Sequence, residues 1–231
     1  MSIKVISWNI WYDGNLEKVN KFLEDAHADI IGLQEVMRNG GNIQLSERLI
    51  KELGYQCVYA PAFQITKDGQ TIDVGNAILS KYPILEHKIH NLSHIDNRIA
   101  IEATIKMSDK ILQIVCTHLL HTHQQPSEIQ DIQAENLANM LSKTNAIVMG
   151  DFNALPESNA IKIMNHVVDN ADNNSLPTWS MYPEGCKECL PQGILYKLDN
   201  IFISKNLKVE SYLVENSDAS DHLPISAIIA I

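Results

Sequence analysis

The sequence is poor in cysteine and has no long apolar run, and each shortage excludes a class of protein. Four cysteines in 231 residues are too few and too scattered for a disulfide framework, so we expect reduced thiols. No stretch reaches the roughly 18 consecutive apolar residues of a membrane-spanning helix, and the first residues show no signal-peptide pattern. We therefore expect a cytoplasmic protein with no membrane-inserted segment.

Basic residues are also scarce. The chain has 18 Lys and Arg against 28 Asp and Glu, which gives a formal charge of −10, and no two basic residues are adjacent. A field of this sign opposes the approach of a nucleic-acid backbone. Nucleic acid is therefore possible as a partner but disfavoured, and the expected substrate is a small compound that brings one or two phosphates. The composition leaves the oligomeric state open.

Apolar, β-branched segments typical of buried strands alternate with segments of helical period. The predicted strands cover residues 3–10, 30–34, 74–79, 99–106, 111–117, 146–149, 198–204 and 224–229, and the predicted helices cover 16–26, 43–53 and 127–141. Between residues 56 and 117 turns of Pro, Gly and Asn separate the strands, which favours antiparallel pairing. No repeat or linker marks a boundary, so the sequence predicts a single mixed α/β domain over residues 1–231.

Polar side chains that are able to bind metal recur where the apolar strands end, or just before a strand begins. Strand ends at one edge of a sheet meet in space, and a buried carboxylate is costly unless it is paired or bound to metal. Any one of these residues has an ordinary alternative as a turn former or cap. The set as a whole indicates a catalytic site, and its members are Asn9, Glu35, His118, Asp151, Asn153, Asp199, Asp221 and His222.

The motifs around these residues, in their order, resemble those of the endonuclease/exonuclease/phosphatase superfamily, which includes DNase I-like nucleases. They are Trp8-Asn9, Leu33-Gln34-Glu35, the segment 75–80, Thr117-His118-Leu119, Gly150-Asp151-Phe152-Asn153, the segment 198–202, and the segment 220–224. Each motif alone is weak, but seven in this order extend over nearly the whole chain. The resemblance implies a four-layer α/β sandwich of two mixed β-sheets flanked by helices, with the site at one edge of the paired sheets.

The resemblance also implies a metal site. It makes Glu35 the principal ligand of a divalent cation, with Asn9 assisting and Asp221 near the same ion. Oxygen ligands of this kind suit Mg²⁺ or Mn²⁺ and not zinc. Whether one or two ions bind is left open.

Five further residues take catalytic roles by the same resemblance. His222 would contact the scissile phosphate as an imidazolium, with Asp199 fixing its tautomer. Asp151 would orient or deprotonate the attacking water, and Asn153 would donate to a phosphate oxygen. His118 would stabilise that phosphate or protonate the leaving oxygen, so the division of acid and base between Asp151 and His118 stays open.

Three residues are candidates for substrate contact. Asn76 resembles the asparagine on the substrate side of the family's site. Arg98 is placed to bind a phosphate oxygen, with a surface cation as an equal alternative. Trp179 lies with Tyr182 in the long irregular segment 169–196, where an aromatic ring stacks on a base or sugar or simply anchors its own loop.

Cys186-Lys187-Glu188-Cys189 has the spacing of half a zinc site. No second cysteine pair follows it, which leaves only the nearby histidines to complete four zinc ligands, so a loop thiol pair is the favoured interpretation. The His-rich stretch that begins at His118 is expected to send its side chains in different directions as the strand runs into a loop. We therefore expect His121 and His123 to be solvated.

These features together predict a metal-dependent phosphoric ester hydrolase that cleaves a P–O bond by water attack, as a phosphodiesterase or a phosphatase. A DNA endonuclease or exonuclease of the same superfamily is the second hypothesis, and a non-catalytic binding module on this fold is the third. Retention of the whole polar set argues against the binding module. The sequence leaves the leaving group open.

Overall fold

The computed structural model describes residues 1–172, 174–182, 186, 189 and 191–231. Its strands are β1 (Ser2–Asn9), β2 (Ile30–Asn39), β3 (Asn42–Ile43), β4 (Gln56–Lys67), β5 (Gln70–Ser80), β6 (Ile84–Asn91), β7 (Ile99–Met107), β8 (Lys110–His118), β9 (Ala146–Asp151), β10 (Asp169–Asn170), β11 (Asp199–Ile203), β12 (Lys208–Val214) and β13 (Ile225–Ala230). Its helices are α1 (Leu16–Ala26), α2 (Glu47–Lys51), α3 (Glu128–Met140) and α4 (Asn159–Val167).

The described strands form two mixed sheets. The first has the order β12-β13-β1-β2-β5-β4, with β3 added to β2, and the second has the order β10-β11-β9-β8-β7-β6. Each sheet holds one parallel pair near its centre, β1 with β2 and β8 with β9, and its other pairs are antiparallel. Within each parallel pair, the carboxyl ends of both strands lie at the same end of the sheet.

Three apolar clusters stack the elements into layers. The largest lies between the two sheets and includes Ile78 from the first and Ile114 from the second. A second cluster packs the outer face of the first sheet against α1, through Val19 and Leu23. A third packs the outer face of the second sheet against α3 and α4, with Leu137 in its centre. The order helix, sheet, sheet, helix confirms the expected four-layer sandwich.

The helices begin at polar caps that the sequence supplies. The side chains of Asn15, Ser127 and Ser158 accept hydrogen bonds from backbone N–H groups in the first turns of α1, α3 and α4. Such a cap satisfies an N–H group that has no partner within the helix. The bounds of α1 are therefore those that the sequence predicts.

The structure corrects several boundaries. The helix expected over 43–53 is shorter, because Ile43 pairs with Arg38 as part of β3 and the helix starts only after its cap Ser46. β3, β4, β6, β10, β12 and α4 have no individually predicted counterpart. The antiparallel arrangement expected between residues 56 and 117 is confirmed by the succession from β4 to β8. In the described residues, no helix is long and apolar enough to cross a membrane.

Candidate active site

The predicted residues converge on one cavity of about 430 Å³. It opens where β1, β8 and β9 end and beside Glu35 in the middle of β2, next to the start of β11 and the segment before β13. Its lining residues are Asn9, Trp11, Tyr12, Glu35, Arg98, His118, His121, His123, Asp151, Asn153, Trp179, Cys186, Asp221 and His222. A volume of this size suits a small-molecule ligand.

A β-bulge directs Glu35 into the cavity. The pairing of β2 with β5 shifts between Leu33 and Val36, so that two residues of β2 face the single residue Asn76. The extra residue changes the direction of the strand, and Glu35 has a φ of 60°. A non-glycine residue in this region is strained, and such strain is typical of functional sites.

Asp151 lies at the centre of the site, almost completely buried. Its Oδ2 is 3.4 Å from Nε2 of His118 and 3.6 Å from Nε2 of His222, and it accepts a hydrogen bond from Nδ2 of Asn9 at 3.1 Å. The preceding Gly150 allows β9 to approach β8 this closely, because a Cβ atom there would lie 2.2 Å from the carbonyl oxygen of Thr117. Burial raises the pKa of the Asp151 carboxyl, against the opposing charge of His222.

His222 forms a buried pair with Asp199. Its Nδ1 lies 2.8 Å from Oδ2 of Asp199, and the hydroxyl of Thr178 donates to the same oxygen at 2.6 Å. Burial by itself lowers the pKa of His222, but the surrounding carboxylates, Asp199 first, outweigh it and hold that pKa well above its ordinary value. These carboxylates therefore favour the imidazolium form of His222, whose Nε2 faces the cavity and Asp151.

His118 has the opposite electrostatic environment. Burial, and after it the positive charge of Arg98, hold the pKa of His118 well below its ordinary value. Asn153, which has a φ of 49°, donates from Nδ2 to Nε2 of His118 at 3.0 Å and to the carbonyl of Leu119 at 3.1 Å. The two histidines thus differ in charge although both face Asp151.

The carboxylates of Glu35 and Asp221 supply hard oxygen ligands in the same cavity. Burial first, and then the charge of Asp221, raises the pKa of Glu35 to about 7. A bound divalent cation would relieve this repulsion, so the donor set fits Mg²⁺ or Mn²⁺. Asn9 presents its Nδ2 to Glu35 at 3.3 Å and accepts from the N–H of Trp11 through Oδ1, so its amide must turn over to offer an oxygen to the ion.

Arg98 is a cavity residue and not a surface cation. Its Nη1 is buried and has no hydrogen-bond partner within the described part of the chain. Its guanidinium carbon lies 5.8 Å from the ring centre of Phe63. An unpaired buried guanidinium donor is costly unless an acceptor enters the cavity, and a phosphate oxygen is an acceptor of the required charge.

The two remaining substrate candidates differ from expectation. Asn76 is buried opposite the bulge, donates to the carbonyl of Ile99 at 3.2 Å and is not among the residues that line the cavity, so its contact with substrate stays a prediction. Trp179 lines the cavity but is only 2% exposed, and its indole N–H donates to Asp221 at 2.9 Å. It forms part of the wall and positions that carboxylate.

Several site residues were missed by the sequence reasoning. Tyr12 donates its backbone N–H to Glu35 at 3.3 Å, and Thr178 bonds to Asp199. Neither has a local signal, except that Tyr12 follows Asn9 closely in the chain. His121 and Cys186 also line the cavity, so the expectation that His121 is solvated is wrong: it is partly buried.

Several solved structures share this fold. An endonuclease/exonuclease/phosphatase from Beutenbergia cavernae superposes with a TM-score of 0.80 at 15% identity, covering 100% of this chain and 72% of that chain. One from Bacteroides vulgatus has a TM-score of 0.78 at 22% identity, covering 100% and 99%. TDP2 of D. rerio, solved with a single-strand DNA product, has a TM-score of 0.71 at 18% identity, covering 100% and 99%.

A comparison of the sequence with curated proteins found no match. A comparison with family models found one, and it agrees with the similarity in fold. The family model described as "Endonuclease/Exonuclease/phosphatase family" matches residues 6–222, which begin inside β1 and end at His222. The matched segment includes every cavity carboxylate and both opposed histidines, so this chain belongs to the endonuclease/exonuclease/phosphatase family, whose members are generally hydrolases that act on phosphoesters.

Proposed function

We propose that this protein is a divalent-metal-dependent phosphoesterase that hydrolyses a P–O bond of a small phosphate compound with an activated water. The observation that carries this proposal is the position of Asp151 between two buried imidazoles, with Oδ2 at 3.4 Å from Nε2 of His118 and 3.6 Å from Nε2 of His222. The surroundings lower the pKa of His118 and raise that of His222. This arrangement places a proton acceptor, Asp151, within a few ångströms of a group that favours positive charge, His222. Hydrolysis of an anionic ester needs both.

Asp151 is the base. Its pKa is raised by burial, which makes the carboxylate a better proton acceptor than an exposed aspartate. The backbone N–H of Asn153 donates to Oδ1 at 2.8 Å, which holds the carboxylate in its orientation whichever way the amide of Asn9 is turned. We infer that it orients the attacking water and accepts its proton.

The positive groups of the cavity stabilise the phosphate. His222 places an imidazolium, and Arg98 places an unpaired N–H donor, where negative charge grows in the transition state. Mg²⁺ or Mn²⁺ held by Glu35, Asp221 and a turned Asn9 would supply Lewis-acid stabilisation of the same charge. His118 is neutral and accepts from Asn153, which favours a positioning role for His118 over proton donation to the leaving oxygen.

The cavity favours a small substrate over long nucleic acid. Arg98 is the one Lys or Arg among the described residues that line it, whereas affinity for DNA depends on many phosphate contacts. The TDP2 structure shows a single-strand DNA product on a similar fold, so single-stranded DNA is the competing substrate to test.

The decisive experiment compares substrates at near-physiological salt with added Mg²⁺. The panel holds an aryl phosphodiester, an aryl phosphomonoester, nucleotides, sugar phosphates, a single-stranded oligonucleotide and plasmid DNA. We expect small phosphate compounds to be hydrolysed with a higher kcat/KM than either DNA. Faster cleavage of the oligonucleotide or efficient nicking of the plasmid would instead assign the nuclease function.

The matched variants are Asp151→Asn and Asp109→Asn. Asp109 is an exposed aspartate in the turn between β7 and β8. We expect Asp151→Asn to lose nearly all activity on the preferred substrate, and Asp109→Asn to keep it. Equal activity of the two variants would show that Asp151 is not the base.

A further inference from the structure

Two histidines and two cysteines lie close together at the rim of the cavity. His121 and His123 follow β8, and Cys186 and Cys189 lie in the long segment between β10 and β11. Their ligand atoms, namely Nε2 of His121, Nδ1 of His123 and the two sulfurs, all lie within 4.8 Å of one another. Two parts of the chain more than 60 residues apart therefore supply a complete set of four soft ligands.

Five of the six separations between these ligand atoms match those around a tetrahedral zinc ion. Sγ of Cys186 lies 3.7 Å from Nε2 of His121 and 3.5 Å from Nδ1 of His123. Sγ of Cys189 lies 3.5 Å and 3.4 Å from the same nitrogens, and these nitrogens are 3.2 Å apart. Zinc bonds of about 2.3 Å to sulfur and about 2.05 Å to nitrogen give S···N separations of about 3.5 Å and N···N of about 3.4 Å.

The sulfur pair is the remaining separation. The structure joins the two sulfurs in a disulfide, with their Cα atoms 5.4 Å apart, so the expectation of reduced thiols is wrong for this pair. A tetrahedral zinc ion would hold the two sulfurs about 3.8 Å apart. Zinc needs both thiolates, so the site forms from the reduced chain. The backbone N–H of Cys189 donates to Sγ of Cys186 at 3.0 Å, a hydrogen bond that a negative thiolate accepts more strongly than an uncharged sulfur does.

The hydrogen bonds of His121 prepare it as a ligand. Nδ2 of Asn153 donates to the carbonyl of Leu119, which fixes the orientation of the amide. Oδ1 of Asn153 then faces Nδ1 of His121 at 2.8 Å, and because an amide oxygen only accepts, Nδ1 carries the hydrogen. The lone pair of Nε2 is left pointing at the two sulfurs. An outer partner that fixes the tautomer in this way is typical of metal-bound histidine.

Backbone conformation explains why the two imidazoles meet. Residues two apart on a strand share one face, but β8 ends at His118, so His121 and His123 meet in the irregular backbone that follows, where His123 has a φ of 51°. The two rings lie edge to face with their centres 4.6 Å apart. The sequence alone gave no indication of this turn, which is why the nearby histidines were expected to point in different directions and were not favoured as partners of the thiol pair.

We propose that His121, His123, Cys186 and Cys189 form a tetrahedral zinc site, separate from the catalytic metal site, that fastens the loop carrying Trp179 to the end of β8. Four protein ligands leave no open position, so this zinc is structural. The ring of Trp179 is 6.1 Å from that of His121, and its indole holds Asp221. The zinc would thereby stabilise one wall of the active-site cavity.

The first test measures bound metal by elemental mass spectrometry. Protein expressed with added zinc and purified under a thiol reductant, without chelator, should carry about one zinc per chain. Cys186→Ser/Cys189→Ser and His123→Ala should lose it. Cys57→Ser and His87→Ala, which change a cysteine and a histidine on β4 and β6, should keep it. Glu35→Gln should also keep zinc, because Glu35 belongs to the catalytic site.

Cobalt substitution tests the ligand set directly. Reduced wild-type protein loaded with Co²⁺ should show thiolate-to-metal charge-transfer absorption, which a site of oxygen and imidazole ligands does not give. Fully reduced wild-type protein that takes up neither zinc nor cobalt would overturn the proposal, and so would zinc content unchanged in the double serine variant. The wild-type spectrum gives an answer even if the variants do not fold. Neither measurement uses hydrolysis, so its outcome is independent of the proposed activity.

Discussion

Asp199→Asn removes the negative charge that faces the buried imidazole of His222. The shape of the side chain is kept, and the hydroxyl of Thr178 still has an oxygen to bond. That oxygen is also the one that faces Nδ1 of His222, so the variant removes the charge that favours the imidazolium with little change in packing.

The magnitude follows from the geometry of the pair. The atoms Nδ1 and Oδ2 are 2.8 Å apart, and both residues are buried. Unit charges centred about 4 Å apart attract by about 4 kcal/mol at an effective dielectric constant of about 20. At about 1.4 kcal/mol for each factor of ten, this corresponds to about a 10³-fold fall in kcat if the full attraction supports the transition state. His222→Ala should lose at least as much.

The assay is a double-mutant cycle on the best substrate of the panel, with saturating Mg²⁺ and circular dichroism to show that each variant is folded. The double variant should be scarcely worse than His222→Ala alone, because Asp199 acts through the imidazole. The pH profile adds a second readout. Since Asp199 raises the pKa of His222, its removal should move the loss of activity at high pH to lower pH. Multiplicative losses, or an unmoved basic limb, would refute the pairing.

The other predictions concern the metal, the pH dependence of stability and a buried ion pair. Activity should vanish with EDTA and return with Mg²⁺ or Mn²⁺, and Glu35→Gln should raise the metal concentration that is needed; full turnover after verified metal removal would contradict this. Because the pKa of Glu35 is raised to about 7, the metal-free protein loses stability as pH rises from the unfolded value near 4.5 through 7. At pH 8, Glu35→Gln should therefore raise the free energy of unfolding of the metal-free protein by about 2 kcal/mol. This is less than the full pKa shift implies, because the cavity is open to solvent. At pH 4 the substitution should hardly change the stability. Asp172→Asn should lower the free energy of unfolding in urea by about 3 kcal/mol, because it leaves Lys197, 2.6 Å away and buried, without its ion pair; a loss no larger than that of Asp109→Asn would contradict it.

The local patterns of the sequence indicated a mixed α/β chain, and the four-layer arrangement was implied by the resemblance of its motifs to a known family. Alternating apolar segments and helical periods are local signals, and the bounds of α1 follow from Asn15 and the helical face that includes Val19 and Leu23. Strands without a strong apolar signal were not assigned individually. β6, with mostly exposed side chains, and the edge strand β12 were not assigned, because an edge strand buries too little to leave a clear pattern.

The sequence also indicated the polar set of the site. A carboxylate or imidazole next to an apolar strand is costly to bury without a function. The sequence alone therefore identifies Glu35, Asp151 and His222 as candidate site residues. It does not assign their roles, because charge state depends on neighbours that are distant in the chain. The sequence does not distinguish the environments of His118 and His222. Only folding places Arg98 near His118 and Asp199 near His222.

The tertiary structure alone decided which residues surround this set. The bulge that turns Glu35 inward, the hydroxyl of Thr178 on Asp199 and the meeting of His121 with Cys186 all arise from contacts across more than 20 residues of chain or between strands. No local propensity encodes such contacts, since they form only when two sheets pack and a loop closes over their edge. The physical reason is that hydrogen-bond and metal-ligand geometry depends on distances in space, which the order of residues does not fix.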